Sequence, residues 1–188
     1  MVSQIKVNEI IKQSGSSINI GESGDTVNIP SGATLDLSNP TVTLNSAMKM
    51  GPAFQANNPQ NGSVANSTQV KLSFNTKVFD TDNCYDTSTY NFLPTTAGKY
   101  FVFSNVRWQT ATNTATRLDL QIYKNSGVVL SGRNNNTDYS MVSAAGIVDM
   151  NGTSDTLSVY SYQNTGNTTA ISTESYYTWF GAYKIIGA

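Results

Sequence analysis

The sequence predicts an all-β homotrimer, with a short intertwined β-stalk over residues 1–50 and a ten-strand-type jelly-roll sandwich over residues 51–188. Three observations support this prediction. Pairs of apolar residues repeat between turns in the first quarter of the chain, aromatic residues begin only at Phe54, and two later strands are apolar on both faces. Residues 1–50 should therefore form an N-terminal attachment segment and stalk, and residues 51–188 a C-terminal head.

The stalk prediction depends on four short motifs in which one residue separates two apolar ones. Their first members lie 9, 8 and 7 residues apart, and turn formers such as Gly, Pro and Asn lie between them. The pairs are Ile18/Ile20, Val27/Ile29, Leu35/Leu37 and Val42/Leu44. Alternation with period two indicates β-strands, but strands this short cannot bury a core within one chain. We therefore expect several chains to wrap together and share one core.

The head is predicted from eight segments rich in β-branched and aromatic residues, with turn-rich stretches between them. These segments are residues 70–74, 90–93, 99–108, 117–123, 128–130, 140–150, 156–162 and 176–186. No helical period occurs in this region. Many short strands without helices are typical of a sandwich or jelly roll.

Segments 99–108 and 176–186 are apolar at both sets of alternating positions, although a strand in one sandwich needs only one apolar face. The second face indicates another buried surface, most simply a neighbouring subunit; cover by the chain's own loops is the alternative. The interface candidates are Tyr100, Phe101, Val102, Phe103, Trp108, Tyr177, Trp179, Phe180 and Tyr183 in the head, with Ile18, Ile20, Val27, Ile29, Leu35 and Leu37 in the stalk. By contrast, Asp119 and Gln121 alternate with the apolar residues Leu118, Leu120 and Ile122, so segment 117–123 should have one face exposed to solvent.

The amino-acid composition limits the kinds of binding and catalysis that this chain can perform. Charged residues make up 12% of the chain, the net charge is −1, and no run of Lys or Arg provides an electrostatic surface for nucleic acid. The chain has no histidine, which excludes Ser-His-Asp and Cys-His catalysis and histidine metal sites. Cys84 is the single cysteine, so an intrachain disulfide is excluded, and an interchain bridge or a buried free thiol remain. No apolar stretch predicts a secretory signal or membrane insertion.

Two polar clusters are candidate sites. Asp80, Asp82 and Asp86 place oxygen ligands close together, as Ca²⁺ requires, although a polar turn explains the same pattern. A structural Ca²⁺ is the only cofactor that the sequence leaves open, and no catalytic residues are assigned. Candidates for receptor binding lie in a loop rich in amides with an aromatic ring, where a solvated loop is the alternative: Arg133, Asn134, Asn135, Asn136, Asp138 and Tyr139.

From Phe54 onward, the order of several motifs carries a resemblance. The chain has Ala-Phe-Gln-Ala at 53–56, Phe-Asp at 79–80 before Tyr85, and Phe-Leu-Pro-Thr-Thr-Ala-Gly-Lys-Tyr-Phe at 92–101. Lys-Asn-Ser-Gly at 124–127, a Gly-Thr-Ser-Asp turn at 152–155 and Phe-Gly at 180–181 follow. Together they resemble the trimeric jelly-roll head of complement q subunits and tumour necrosis factor. The resemblance implies a trimeric jelly-roll head. The absence of histidine and the short chain predict separately that the protein is not an enzyme.

The stalk sequence carries a second resemblance. Residues 24–36, Gly-Asp-Thr-Val-Asn-Ile-Pro-Ser-Gly-Ala-Thr-Leu-Asp, resemble the stems of bacteriophage fibre proteins, and the collagen repeat of the animal proteins is absent. We therefore expect a phage tail fibre or fibre tip that adheres to the host surface. It would assemble in the host cytoplasm, act on the virion outside the cell, contact another virion protein through its N-terminus, and bind a host glycan or protein. Alternatives are a capsid or tail decoration protein without receptor activity and, third, a polysaccharide-degrading tailspike.

Overall fold

A computed structural model describes residues 14–15, 20–38, 41–43, 49–109, 117–135 and 139–185 of the chain. The chain divides into two compact units, Met1–Thr43 and Leu44–Ala188, which we describe separately; the boundary predicted from sequence lay between residues 50 and 51. None of the described residues is helical, so no helix in them could cross a membrane.

In the first unit, the described residues 20–38 and 41–43 contain turns but no strand. Their apolar side chains are exposed, from 42% at Val42 to 70% at Ile20. The interface candidates Val27, Ile29, Leu35 and Leu37 are among them, whereas Ile18 lies outside the described residues. The single chain therefore does not form the predicted short strands in these ranges, because two-residue apolar motifs have no partner strand within one chain.

The second unit is a β-sandwich built from thirteen strands in its described residues. They are β1 (Ala53–Pro59), β2 (Ser63–Val64), β3 (Gln69–Lys71), β4 (Phe74–Asp80), β5 (Tyr85–Asp86), β6 (Asn91–Phe92), β7 (Gly98–Arg107), β8 (Leu118–Lys124), β9 (Gly127–Asn134), β10 (Met141–Met150), β11 (Leu157–Gln163), β12 (Thr169–Ala170) and β13 (Trp179–Lys184). The predicted all-β sandwich is confirmed.

Two antiparallel sheets form the layers of the sandwich. The first has the order β10-β7-β13-β1-β4, and the second has the order β5-β6-β11-β8-β9, with β3 paired to β11. A small third sheet pairs β12 with β2. Neighbours in each sheet are mostly distant in sequence, as expected for a jelly roll.

An aromatic cluster lies at the centre of the core. The ring of Phe54 stacks on Tyr85 at 4.7 Å and on Phe92 at 4.5 Å, and it meets the edge of Phe180 at 4.9 Å. Tyr85 and Phe92 come from the second sheet, whereas Phe54 and Phe180 come from the first. The cluster therefore joins the layers through ring contacts that stabilise beyond their buried area.

Three differences between the observed and the predicted strands stand out. Predicted segment 70–74 divides into the end of β3 and the start of β4, because Leu72 and Ser73 leave the ladder. Strand β4 itself was not predicted, since most of its residues are exposed and show no alternation. Strand β9 continues to Asn134, so Arg133 and Asn134 lie on a strand and not in the loop where they were expected.

Candidate functional site

Aromatic side chains cover the outer surface of β7 and β13. Residues at alternate positions project outwards there, and Tyr183 pairs with Phe101 while Gly181 pairs with Phe103. The Phe103 ring lies 5.9 Å from Phe101 and 5.6 Å from Trp179. We call Phe101, Phe103, Trp179 and Tyr183 the aromatic face; all four are only partly buried in the single chain.

Gly181 shapes the aromatic face. A Cβ atom at this position would lie 2.6 Å from Cζ of Phe103 and 2.9 Å from the carbonyl oxygen of Phe54. Only glycine therefore lets the Phe103 ring lie across β13.

Apolar residues extend the aromatic face to both edges of the sheet. Ile147 on β10 pairs with Phe101 and is 60% exposed. Phe79 on β4 pairs with Gln55 of β1 and is also exposed. Gln55 of β1 lies between Gly181 and Phe79, so the apolar surface has one polar interruption. An exposed apolar surface of this kind is typical of a protein–protein contact.

The interface prediction was wrong for four head residues. Tyr100, Val102, Trp108 and Phe180 have no exposed surface and belong to the sandwich core. The sequence indicated two apolar faces on each strand without distinguishing which of them the sandwich itself would bury. The remaining head candidates, Phe101, Phe103, Tyr177, Trp179 and Tyr183, stay at the outer surface.

A second group of exposed rings lies at the far end of the same sheet. The chain enters β1 at Ala53, opposite Tyr183, and β7 runs from there to Arg107 at the other end. The Arg107 guanidinium lies 3.9 Å from the ring centre of Tyr177 and 5.2 Å from that of Tyr139. These are cation–π contacts, and they position Tyr139, which is 56% exposed.

The structure separates the predicted receptor-binding residues. Arg133 Nε donates to Asp119 Oδ1 at 2.7 Å, and Asn134 Nδ2 donates to the carbonyl oxygen of Met141 at 3.3 Å. Asn135 is exposed, Tyr139 contacts Arg107, and Asn136 and Asp138 lie outside the described residues. The described members of this set therefore belong to different local contacts.

Asp119 was expected on a solvent-exposed face of its strand, but its side chain has no exposed surface. Arg117 Nε donates to Asp119 Oδ2 at 2.6 Å, in addition to the bond from Arg133. Burial opposes ionisation of this carboxyl, but the two guanidinium groups outweigh it and lower the pKa of Asp119. Arg117 lies two residues before Asp119 in the sequence, and the β8–β9 hairpin pairs Asp119 with Arg133. These two arginines were the only signal in the sequence for this arrangement.

The three carboxylates proposed for Ca²⁺ are not brought together. Asp80 accepts bonds from Lys77 Nζ and from the backbone N–H groups of Cys84 and Tyr85. Asp86 accepts bonds from Ser88 and Thr89, which lower its pKa to about 2. No group of three acidic, histidine or cysteine residues suited to a metal occurs in the described part of the chain. The geometry therefore gives calcium no support at this turn.

Cys84 is a free thiol that is 6% exposed. Its burial raises the pKa of the thiol. A raised pKa disfavours the thiolate that disulfide exchange requires. Of the two alternatives from the sequence, the buried free thiol fits this environment.

Comparisons with known proteins show which solved structures share this fold. No protein-family model matches the chain, and no curated protein matches it. Among solved structures, murine APRIL at pH 5.0 is 14% identical with a TM-score of 0.55, covering 71% of this chain and 98% of its own. The globular domain of zebrafish complement 1qA protein is 18% identical with a TM-score of 0.53, covering 72% and 98%. The Eiger TNF structure from S. frugiperda is 12% identical with a TM-score of 0.55, covering 72% and 93%.

The head therefore has the jelly-roll fold of the tumour-necrosis-factor-like and complement-q-like domains. This likeness extends over the part of the chain that forms the sandwich. At these identities it is a likeness of fold alone.

Proposed function

We propose that this chain is a homotrimeric virion fibre or fibre-tip protein that adheres to a host surface through its head. The aromatic face is the observation that carries the proposal. Phe101, Phe103, Trp179 and Tyr183 form an apolar surface that extends to the exposed side chains of Ile147 and Phe79. Packing three such surfaces about one axis would remove this area from water.

The stalk supports the same symmetry. Its described apolar pairs are exposed in the single chain, and a stem of three chains would bury them in one shared core. The N-terminal segment would then contact another virion protein. Three heads on one stem would also let weak individual contacts combine into firm attachment.

A trimer is tested by the mass of the full chain in solution. Light scattering should give three times the chain mass of 20.3 kDa. A mass of one chain at micromolar concentration would contradict the trimer and, with it, the fibre.

Adhesion is tested separately by adding purified protein to host cells before infection. An adhesive head should occupy the receptors and block adsorption of the virus particle. Trimeric protein that binds no cells would instead support the second candidate, a decoration protein without receptor activity. Release of oligosaccharide from host envelope glycan would favour the third, a polysaccharide-degrading tailspike.

A further inference from the structure

The outer surface of the second sheet carries a depression of about 410 Å³, within the usual size range of ligand sites. Strands β3, β11 and β8 form its floor, and their register sets the residues in rows. Tyr162 of β11 pairs with both Asp119 of β8 and Gln69 of β3. In the next row, Tyr160 pairs with Gln121 and Lys71. We call this surface the tyrosine groove.

Two tyrosines, Tyr123 and Tyr162, line the tyrosine groove, and Tyr160 packs beside Tyr123. The ring of Tyr123 lies 4.5 Å from that of Tyr160, and Arg117 lies 4.6 Å from the ring centre of Tyr162. All three tyrosines are partly exposed. Rigid rings of this kind bind flat apolar faces at little entropic cost, and their hydroxyl groups also form hydrogen bonds.

Two amide side chains span the floor. Gln69 Nε2 donates to Gln121 Oε1 at 2.5 Å and to the Tyr123 hydroxyl at 2.6 Å. Gln69 Oε1 and Gln121 Nε2 make no hydrogen bond with any described residue, so these lining side chains keep one acceptor and one donor for a ligand. This pairing of amides and rings suits the hydroxyl groups and the C–H faces of a sugar.

The tyrosine groove and its surroundings carry one more cation than carboxylate, although the whole chain has a net charge of −1. Arg117 lines the groove, Arg133 and Lys71 lie beside it, and the carboxylates are Asp119 and Asp86, the second of which accepts a hydrogen bond from Thr89. Arg117 and Arg133 share a single carboxylate, that of Asp119. Lys71 Nζ donates to the carbonyl oxygen of Thr89 and to Asn91 Oδ1, which are both neutral groups. The local excess of cations favours an anionic ligand, and arginine favours a carboxylate or another planar anion.

We infer that the tyrosine groove binds an acidic oligosaccharide, one whose sugars carry carboxylates. Tyr162 and Tyr123 stack on the sugar rings, Gln69 and Gln121 bond to hydroxyl groups, and Arg117 bonds to a carboxylate. This inference deepens the proposed adhesive function and rests on it. The tyrosine groove lies on the opposite side of the sandwich from the aromatic face, so both surfaces can be used in one assembly.

Single-stranded nucleic acid is the other polymer that combines negative charge with stacking. It requires a row of cations along the backbone, and the chain has only eleven Lys and Arg without any run of them. Here one arginine and one lysine lie beside amides and phenol rings. That chemistry favours a polymer with few charges and many hydroxyl groups.

The test is calorimetric titration of the full chain with a hexamer of galacturonic acid, compared with the neutral galactose hexamer. We expect the acidic hexamer to bind at least about tenfold more tightly, and its affinity to fall as salt rises. Arg117→Gln should weaken binding of the acidic hexamer about tenfold. Tyr162→Ala should weaken it about three- to tenfold, and Tyr162→Phe should restore it because the ring remains.

Lys99→Gln is the matched control, since it removes one positive charge from an exposed ion pair with Asp149 on the other sheet. It should leave the affinity unchanged, and unfolding midpoints should show that every variant is folded.

Equal binding of both hexamers, binding that survives Arg117→Gln and Tyr162→Ala, or tighter binding of decathymidylate would overturn the inference. If trimeric protein blocks adsorption but binds no acidic hexamer, only the tyrosine groove is refuted. Binding of the hexamer without blocking of adsorption would refute the adhesive function instead.

Discussion

Asp119 is a buried carboxylate held between two arginines. Arg117 bonds to Oδ2 and Arg133 to both carboxylate oxygens, and both arginine side chains remain partly exposed. The carboxylate therefore has its charge compensated, while the arginines keep contact with water. This arrangement avoids much of the desolvation penalty that a fully buried ion pair suffers.

Replacing Asp119 with Asn should destabilise the head. The substitution keeps the size of the side chain but removes charge-assisted hydrogen bonds, which contribute about 1.5–3 kcal/mol. Urea unfolding at pH 7 measures the loss. Asp149→Asn is the control, because its exposed pair with Lys99 should contribute less than about 1 kcal/mol. Equal effects of the two substitutions would contradict the structural role of Asp119.

The same carboxylate makes stability depend on pH. A pKa lowered by folding stabilises the protein above the unfolded value, which is about 3.9 for Asp. That contribution is lost as pH falls from there through the folded pKa. We expect the difference in unfolding free energy between wild type and Asp119→Asn to be constant from pH 7 to about 5 and to shrink below pH 4. A difference that did not change down to pH 2 would contradict the assignment.

Strands β7 and β13 are the elements that use both of their faces. Their inner residues, including Tyr100 and Phe180, fill the core, and their outer residues form the aromatic face. The two strands pair directly, so the outer rings meet across the ladder. One pair of strands therefore contributes to the fold of the head and, on our proposal, to its assembly.

Phe103→Glu should separate the chains without unfolding them. The side chain lies outside the core, and a carboxylate buried at an apolar contact would disfavour association strongly. Light scattering should give the mass of one chain, and the far-ultraviolet circular dichroism should remain that of a β-protein. Val129→Glu changes an exposed apolar residue of β9 on the other sheet, so it should leave the trimer intact. Dissociation by both variants would argue against a specific interface.

At the scale of the whole molecule, the two units differ in how far their apolar residues are buried in a single chain. The unit Leu44–Ala188 buries a complete aromatic core by itself. The described apolar residues of Met1–Thr43 are exposed, so the described part of this unit buries no core in one chain. A protein with such a division is expected to depend on association for the order of its first unit.

Hydrogen exchange of the full chain tests that dependence. We expect the amides of residues 20–38 to exchange slowly in the trimer, because strands from three chains would pair there. In the Phe103→Glu variant the same amides should exchange faster. Complete exchange within seconds in wild-type trimer would contradict an intertwined stalk and leave the head as the only assembled part.

The sequence alone determined the strands with clear alternation and the two faces of β7 and β13, because a period of two follows directly from strand geometry. It also indicated the fold, through motifs spread from Phe54 to Gly181. It missed β4, whose residues are mostly exposed, and it placed Arg133 in a loop although β9 continues through that position.

Only the tertiary structure decided which apolar face the sandwich buries, and so which residues stay outside. It also brought Gln69, Gln121 and Tyr162 into one groove and buried Asp119 between two arginines. The physical reason is that neighbours in these sheets come from distant parts of the chain. Alternation along a strand specifies its faces, but pairing between distant strands specifies what each face meets.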